Sequence, residues 1–187
     1  MDSKLQIISG IYRGRKLRLP PNARPTQNRA RIALFNMLES GILDTSVTEL
    51  NIWDAFGGSG AFGIECLSRY PNASVTFTDI NPTSIRTIQD NLATLSVGTR
   101  AHIVQGDAIA MATRMGESAT LIFIDAPYDM HELGISLIKK LGNTVKPGTI
   151  IIWEQENINK TQPDETKWEI LRDKTYGRAR FLILQKI

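Results

Sequence analysis

The chain reads as an α/β domain on a mostly parallel sheet, and three observations predict it. From Leu50 onward, strand-like apolar runs alternate with helical stretches, which is the pattern of a parallel sheet covered by helices on both faces. Between the first strand and the first helix of that series lies Gly58-Ser-Gly-Ala-Phe-Gly63, a G-x-G-x-x-G loop. Near the carboxyl end, Trp168–Lys174 and Arg180–Lys186 flank Gly177 with no helix between them, so they should pair as an antiparallel hairpin on the sheet edge.

In chain order, Leu5–Leu19 alternates imperfectly around Gly10 and Gly14 and is ended by Pro20-Pro21, the reading of a two-stranded hairpin appended to the main domain. Thr26 then opens a helix from Gln27 to about Ser40, with Ala30, Leu34 and Leu38 at i, i+4 and i+8 and Gly41 as its stop. Strands are expected at 50–55, 74–79, 101–105, 120–125 and 149–154, and helices near 60–69, 82–95, 107–115 and 131–141. With the carboxyl-terminal hairpin this makes seven strands. The expected division is a basic extension over 1–40 and the sheet domain over 41–187.

Composition sets the class of protein. With 187 residues, 42% apolar and 22% charged, the chain can bury a full core. It has no run near 18 apolar residues and no cleavable apolar leader, so a cytoplasmic protein without membrane contact is expected. One cysteine, Cys66, and two histidines, His102 and His131, give no metal-ligand set, and Cys66 reads as a buried packing residue. Residues 1–40 hold eight Lys and Arg against Asp2 and Glu39, a net of +6 in a chain totalling +3. A basic end on an acidic body suits a polyanion, because Lys and Arg displace counterions from phosphates.

The glycine loop gains meaning from three acids. The loop lets a nucleotide-like cofactor lie against bare backbone, with Phe56, Gly57, Gly58, Ser59 and Gly60 at the contact. Asp54 ends the strand before it. Asp79, at the end of the next strand with Ile80 beside it, can accept both ribose hydroxyls. Asp107, followed by Ala108 after the third strand, can accept from an adenine amine, and Asp79 and Asp107 can also serve as helix caps.

Asp125-Ala-Pro-Tyr128 follows the fourth strand, at the carboxyl edge where open α/β sheets bind ligands. An exocyclic amine on a base is a poor nucleophile because its lone pair is delocalised into the ring. Asp125 and the Ala126 carbonyl can each take one N–H and turn the nitrogen toward an electrophilic carbon, Pro127 fixes φ, and Tyr128 offers a stacking face to an extruded base. Together with the glycine loop this points to methyl transfer onto a nucleobase.

With these residues assembled, the chain resembles the RsmD-type family of 16S rRNA guanine-N2 methyltransferases. The resemblance runs from Ile8–Leu17 through Arg24-Pro-Thr26, Arg29, Arg31 and Leu34-Phe-Asn36, to Asp54–Gly63, Leu67-Ser-Arg69 and Asp125–Tyr128. It implies a Rossmann-like class I methyltransferase fold using S-adenosyl-L-methionine, which leaves as S-adenosyl-L-homocysteine. The implied substrate is a guanine of 16S rRNA, the family target being guanine 966, in the 30S subunit or an assembly intermediate, met by a monomer. Asp54, Gly58, Gly60, Asp79 and Asp107 would then hold the cofactor, and Arg13, Arg15, Lys16, Arg24, Thr26 and Arg29 would meet RNA. Three positions depart from the family's usual residues: Ala126 for a first Pro, Gly57 for Ala, and Ile32 for Glu.

Three other readings share parts of the pattern. An adenine-N6 DNA or RNA methyltransferase could use the same turn. A non-catalytic RNA-binding or ribosome assembly factor could keep the fold with Ala126 in its active turn. An NAD-dependent oxidoreductase would share the glycine loop and Asp79, but it explains neither Asp125–Tyr128 nor the basic first forty residues.

Overall fold

The apolar runs become the strands β1 (Leu50–Asp54), β2 (Ala73–Asp79), β3 (Ala101–Gln105), β4 (Leu121–Ile124) and β5 (Ile150–Glu156), followed by β6 (Trp168–Tyr176) and β7 (Ala179–Lys186). The computed structural model describes residues 5–21, 28–44 and 46–187. One seven-stranded sheet runs in the order β3-β2-β1-β4-β5-β7-β6. The inner pairs β1–β2, β1–β4, β2–β3 and β4–β5 are parallel, and β7 is antiparallel to both β5 and β6. The expected carboxyl-terminal hairpin is therefore present, with β7 added to β5 and β6 outermost.

Helices follow the alternation: α1 (Asn28–Met37), α2 (Ala61–Arg69), α3 (Pro82–Ala93), α4 (Ala108–Gly116) and α5 (His131–Leu141). Helix α1 gives way to a wider turn over Leu38–Ile42, and Gly41, at φ 101°, turns the chain away where the sequence predicts a stop. The central strands β4 and β5 are buried on both faces and so open as continuous apolar runs, whereas β2 alternates and the edge strand β6 is mostly exposed. One face packs Ile64, Leu67 and Ile88 of α2 and α3 against Ile52, Val75 and Ile183, and the other packs Ala112, Leu137 and Leu141 of α4 and α5 against Ile122, Ile124 and Leu182.

The amino-terminal segment departs from expectation in how it is attached. Its two arms meet in a single antiparallel bridge, Gln6 with Lys16, rather than in two full strands. Ile7 N–H donates to the Arg15 carbonyl and Leu17 N–H to the Leu5 carbonyl, both at 2.9 Å. Leu5, Ile7 and Leu17 are buried in the same core as α1 and α2, so the segment is packed into the domain instead of hanging from it. Its attachment is polar as well: buried Glu65 of α2 accepts from Ile8 N–H at 2.7 Å and Ser9 N–H at 2.9 Å. Among the described residues no helix is long and apolar enough to cross a membrane.

Candidate active site

The chain starts its sheet in the middle, winds outward through β2 and β3, and returns to place β4 on the other side of β1. The loops after β1 and β4 therefore leave the sheet edge in opposite directions and open a crevice between them. Asp54 pairs with Phe123 in the register of these two strands, so Asp54 and Asp125 sit at neighbouring carboxyl ends. A cavity of about 120 Å³ lies there. Its lining includes five residues predicted for the cofactor loop or its approach, Asp54, Phe56, Gly57, Gly58 and Ser59, together with Asp125.

The glycine loop is built for close approach. Gly58 and Gly60 have φ of 54° and 77°, a backbone region that other residues enter only at a cost. A Cβ on Gly63 would stand 2.3 Å from the Phe77 ring, so only glycine lets α2 press onto β2 here. Asp79 braces the loop, accepting from Gly58 N–H at 2.9 Å and from Asn81 N–H at 2.8 Å. The α3 cap is Asn81, whose side chain accepts from Thr83 N–H at 2.8 Å, so Asp79 is not itself the cap.

Other predicted residues lie away from the cavity lining. Asp107 caps α4, accepting from Ile109 N–H at 2.6 Å and Ala110 N–H at 3.1 Å through one oxygen, while Ala108 is the buried first residue of that helix. Ile80 is exposed beside Asp79. Arg13, Arg15, Lys16 and Arg29 lie on the surface, and Arg24 and Thr26 fall outside the described residues.

The second acidic turn is tied to a residue that sequence reasoning did not single out. Ala126 is buried and Pro127, at φ −51°, leads the chain into a short turn over Tyr128–Met130. The Tyr128 hydroxyl donates to Glu154 Oε1 at 2.9 Å, and the Arg178 guanidinium stands 5.9 Å from the Tyr128 ring centroid. Glu154, in β5, is 4% exposed and lines the same cavity as Asp125. Its Oε2 has no hydrogen-bond partner among the described residues.

Two more residues were missed. Arg31 was counted with the basic surface of the extension, yet it is 3% exposed and lines the cavity. Its Nη2 donates to the Gln6 carbonyl, while Nε and Nη1 are buried without partners among the described residues. The sequence signal was available: Arg31, Leu34, Phe35 and Leu38 form one i, i+3, i+4, i+7 stripe, the apolar side of α1. Asn91 of α3 donates to the Ser59 carbonyl at 2.8 Å and exchanges bonds with the Arg18 backbone, tying the amino-terminal arm to the cofactor loop.

Electrostatically the interior is short of positive partners for its acids. Burial is the main cause pushing the Asp54 carboxyl up to about 8; nearby Asp125 and Asp79 add to it, and the Gly63 N–H bond at 3.2 Å opposes it. Burial pushes Asp125 up to about 7. Glu154 is pushed well above the carboxylate range by burial and then by Asp125, against the Tyr128 hydroxyl bond. A cavity whose acids burial disfavours as anions, beside a guanidinium with Nε and Nη1 unpartnered among the described residues, suits a ligand that brings both charges.

A family model described as Conserved hypothetical protein 95 matches residues 5–185. The chain is similar to Ribosomal RNA small subunit methyltransferase D of Escherichia coli strain K12, 33% identical over 189 residues that cover 99% of this chain and 91% of that protein. A solved Escherichia coli protein described as a methyltransferase superposes with a TM-score of 0.81 at 31% identity, covering 97% of each chain. A Salinibacter ruber RNA methyltransferase, solved in complex with S-adenosyl-L-homocysteine, has the same fold, with a TM-score of 0.64 at 17% identity over 84% of this chain and 95% of that one. The Rossmann-like methyltransferase architecture expected from the sequence is thus the one present.

Proposed function

The chain belongs to the RsmD family, the group matched by the Conserved hypothetical protein 95 model, and we propose on that premise that it methylates N2 of a guanine in 16S rRNA, guanine 966, with S-adenosyl-L-methionine. The observation that carries the reading is the crevice between β1 and β4, where the braced glycine loop and Asp54 meet Asp125 and the partly paired Arg31 guanidinium in one cavity. The residues fit the cofactor: Asp54 suits the ammonium of its amino-acid end, Arg31 the carboxylate, the glycine loop its middle and Asp79 its ribose. When bound, S-adenosyl-L-methionine supplies an electrophilic methyl on a sulfonium.

The chain's own residues then orient the acceptor. Asp125 and the Ala126 carbonyl take the two N–H bonds of N2, which aims the nitrogen lone pair across the crevice. Ala126 in place of a proline keeps that carbonyl, and its burial limits the freedom that the lost ring would have removed. Tyr128, held by Glu154, stacks on the extruded base from the side opposite Arg178. The exposed Arg13, Arg15, Lys16 and Arg29, with Arg24 and Thr26, meet the RNA backbone.

The test is to incubate the protein and methyl-labelled cofactor with 30S subunits, naked 16S rRNA and duplex DNA, and to map the labelled nucleoside. Label on guanine 966 as N2-methylguanine is expected, with RNA binding weakening as salt rises. Label in DNA alone would overturn the substrate.

A further inference from the structure

The methylation reading leaves one group unused, the buried Oε2 of Glu154, and leaves open why guanine rather than adenine is taken. We propose that Glu154 reads the base: its Oε2 accepts N1–H of the target guanine while Asp125 accepts an N–H of the adjacent N2 amine. This rests on the methyltransferase reading of the same cavity and adds to it a residue that determines specificity.

The geometry sets two acceptors side by side. In the parallel register Ile124 of β4 pairs with Trp153 of β5, so the next residues along, Asp125 and Glu154, emerge at the same edge of neighbouring strands. Both line the cavity at the β1–β4 crevice. The Tyr128 hydroxyl bond at 2.9 Å occupies Oε1 and fixes the carboxyl plane, which leaves Oε2 without a donor among the described residues. A buried acceptor left unpaired is costly, so a ligand that supplies a donor there recovers free energy that other ligands do not.

The Watson–Crick edges of the two purines differ at this point. Guanine presents N1–H beside the N2 amine, two donors in a row. Adenine presents its amine beside a bare N1 lone pair, so one acceptor would face another. In the ionised form, two neighbouring carboxylates therefore complement guanine and leave adenine with an unpaired, repelled nitrogen. Burial, joined for Glu154 by the charge of Asp125, favours protonated carboxyls in the empty cavity, and guanine binds with that proton released to solvent, its N1–H filling the place at Oε2.

The probe is 2-aminopurine, which keeps the C2 amine and the ring but has a bare N1. Small subunits reconstituted on 16S rRNA carrying either guanine or 2-aminopurine at 966 are compared by kcat/KM. The wild-type protein should prefer guanine by about tenfold or more, the worth of one buried hydrogen bond to a charged group. Glu154→Gln, whose amide N–H would face N1 while its oxygen keeps the Tyr128 bond, should lose guanine activity and narrow or invert that ratio. A role confined to holding Tyr128 would lower both substrates by one factor and leave the ratio alone, and that outcome overturns the inference. So does a wild-type protein that uses both bases equally, a measurement that needs no variant to fold. Methylation of neither base would instead bring down the methylation reading itself, and this inference with it.

Discussion

The rim of the crevice and its interior are built on opposite principles. At the rim, polar groups are satisfied by the fold: Asp79 takes two backbone N–H bonds, Asn81 caps α3 and Asp107 caps α4. In the interior, among the described residues, Asp54 has one N–H at 3.2 Å, Arg31 keeps two unpartnered nitrogens and Glu154 one unpartnered oxygen. Buried polar groups are nearly always paired in folded proteins, so a cluster of exceptions in one cavity marks where a ligand completes the structure. The rim shapes the pocket, and the interior holds the binding free energy in reserve.

The strongest way to break this comparison is at the transfer end. Asp125→Ala removes the acceptor that aims the amine and should lower methyl transfer about 10³-fold, the scale of losing one placed electrostatic group. S-adenosyl-L-homocysteine affinity, measured by titration calorimetry, should be largely unchanged, since Asp125 is assigned to the base. Wild-type turnover by this variant would remove Asp125 from the mechanism.

Arg31 comes next. Burial lowers the affinity of its guanidinium for its proton, and the partly paired cation is a cost to the empty fold. Arg31→Met should weaken S-adenosyl-L-homocysteine about tenfold to a hundredfold, as expected for losing a charge-assisted hydrogen bond. The unfolding temperature of the free protein should stay level or rise. A decarboxylated analogue of the cofactor should bind wild type and variant alike, and a variant that discriminated against it would place the carboxylate elsewhere.

How much of this the sequence disclosed follows from the range of each interaction. Alternating strands and helices were visible because strands buried on both faces, such as β4 and β5, are written as apolar runs, and the observed strand ends lie close to those expected. Strand-end acids were visible too: β1 ends in Asp54, β2 in Asp79, and Asp125 follows β4. Glu154 obeys the same rule near the end of β5, but no turn motif follows it, and its importance comes from Asp125 and Tyr128 across the edge. The amino-terminal arm was misread as an appendage because its partners, Glu65 and Ser68, lie more than fifty residues away, beyond any local pattern. Arg31 sat beside exposed Arg29 and shared its charge, and only the helical stripe it completes separates the two.

The mildest effect concerns stability itself and tests whether the interior is as unsatisfied as its bonds suggest. Burial pushes Asp54 up to about 8 and Asp125 up to about 7, against an ordinary 3.8. The folded chain thus holds protons that the unfolded chain gives up. The stability these groups contribute is fully present below pH 3.8 and is lost as pH rises through 7 to 8. Free protein should accordingly melt at a higher temperature near pH 5.5 than near pH 8, each group contributing at most ~1.4 kcal/mol per pH unit in that window. Asp54→Asn, which stays polar but does not titrate, should flatten that slope. Affinity for S-adenosyl-L-homocysteine should run the other way, rising with pH over the same interval, because the cofactor's ammonium favours ionised Asp54. A slope of the same size in Asp54→Asn and wild type would show that this carboxyl is satisfied after all and that the interior resembles the rim.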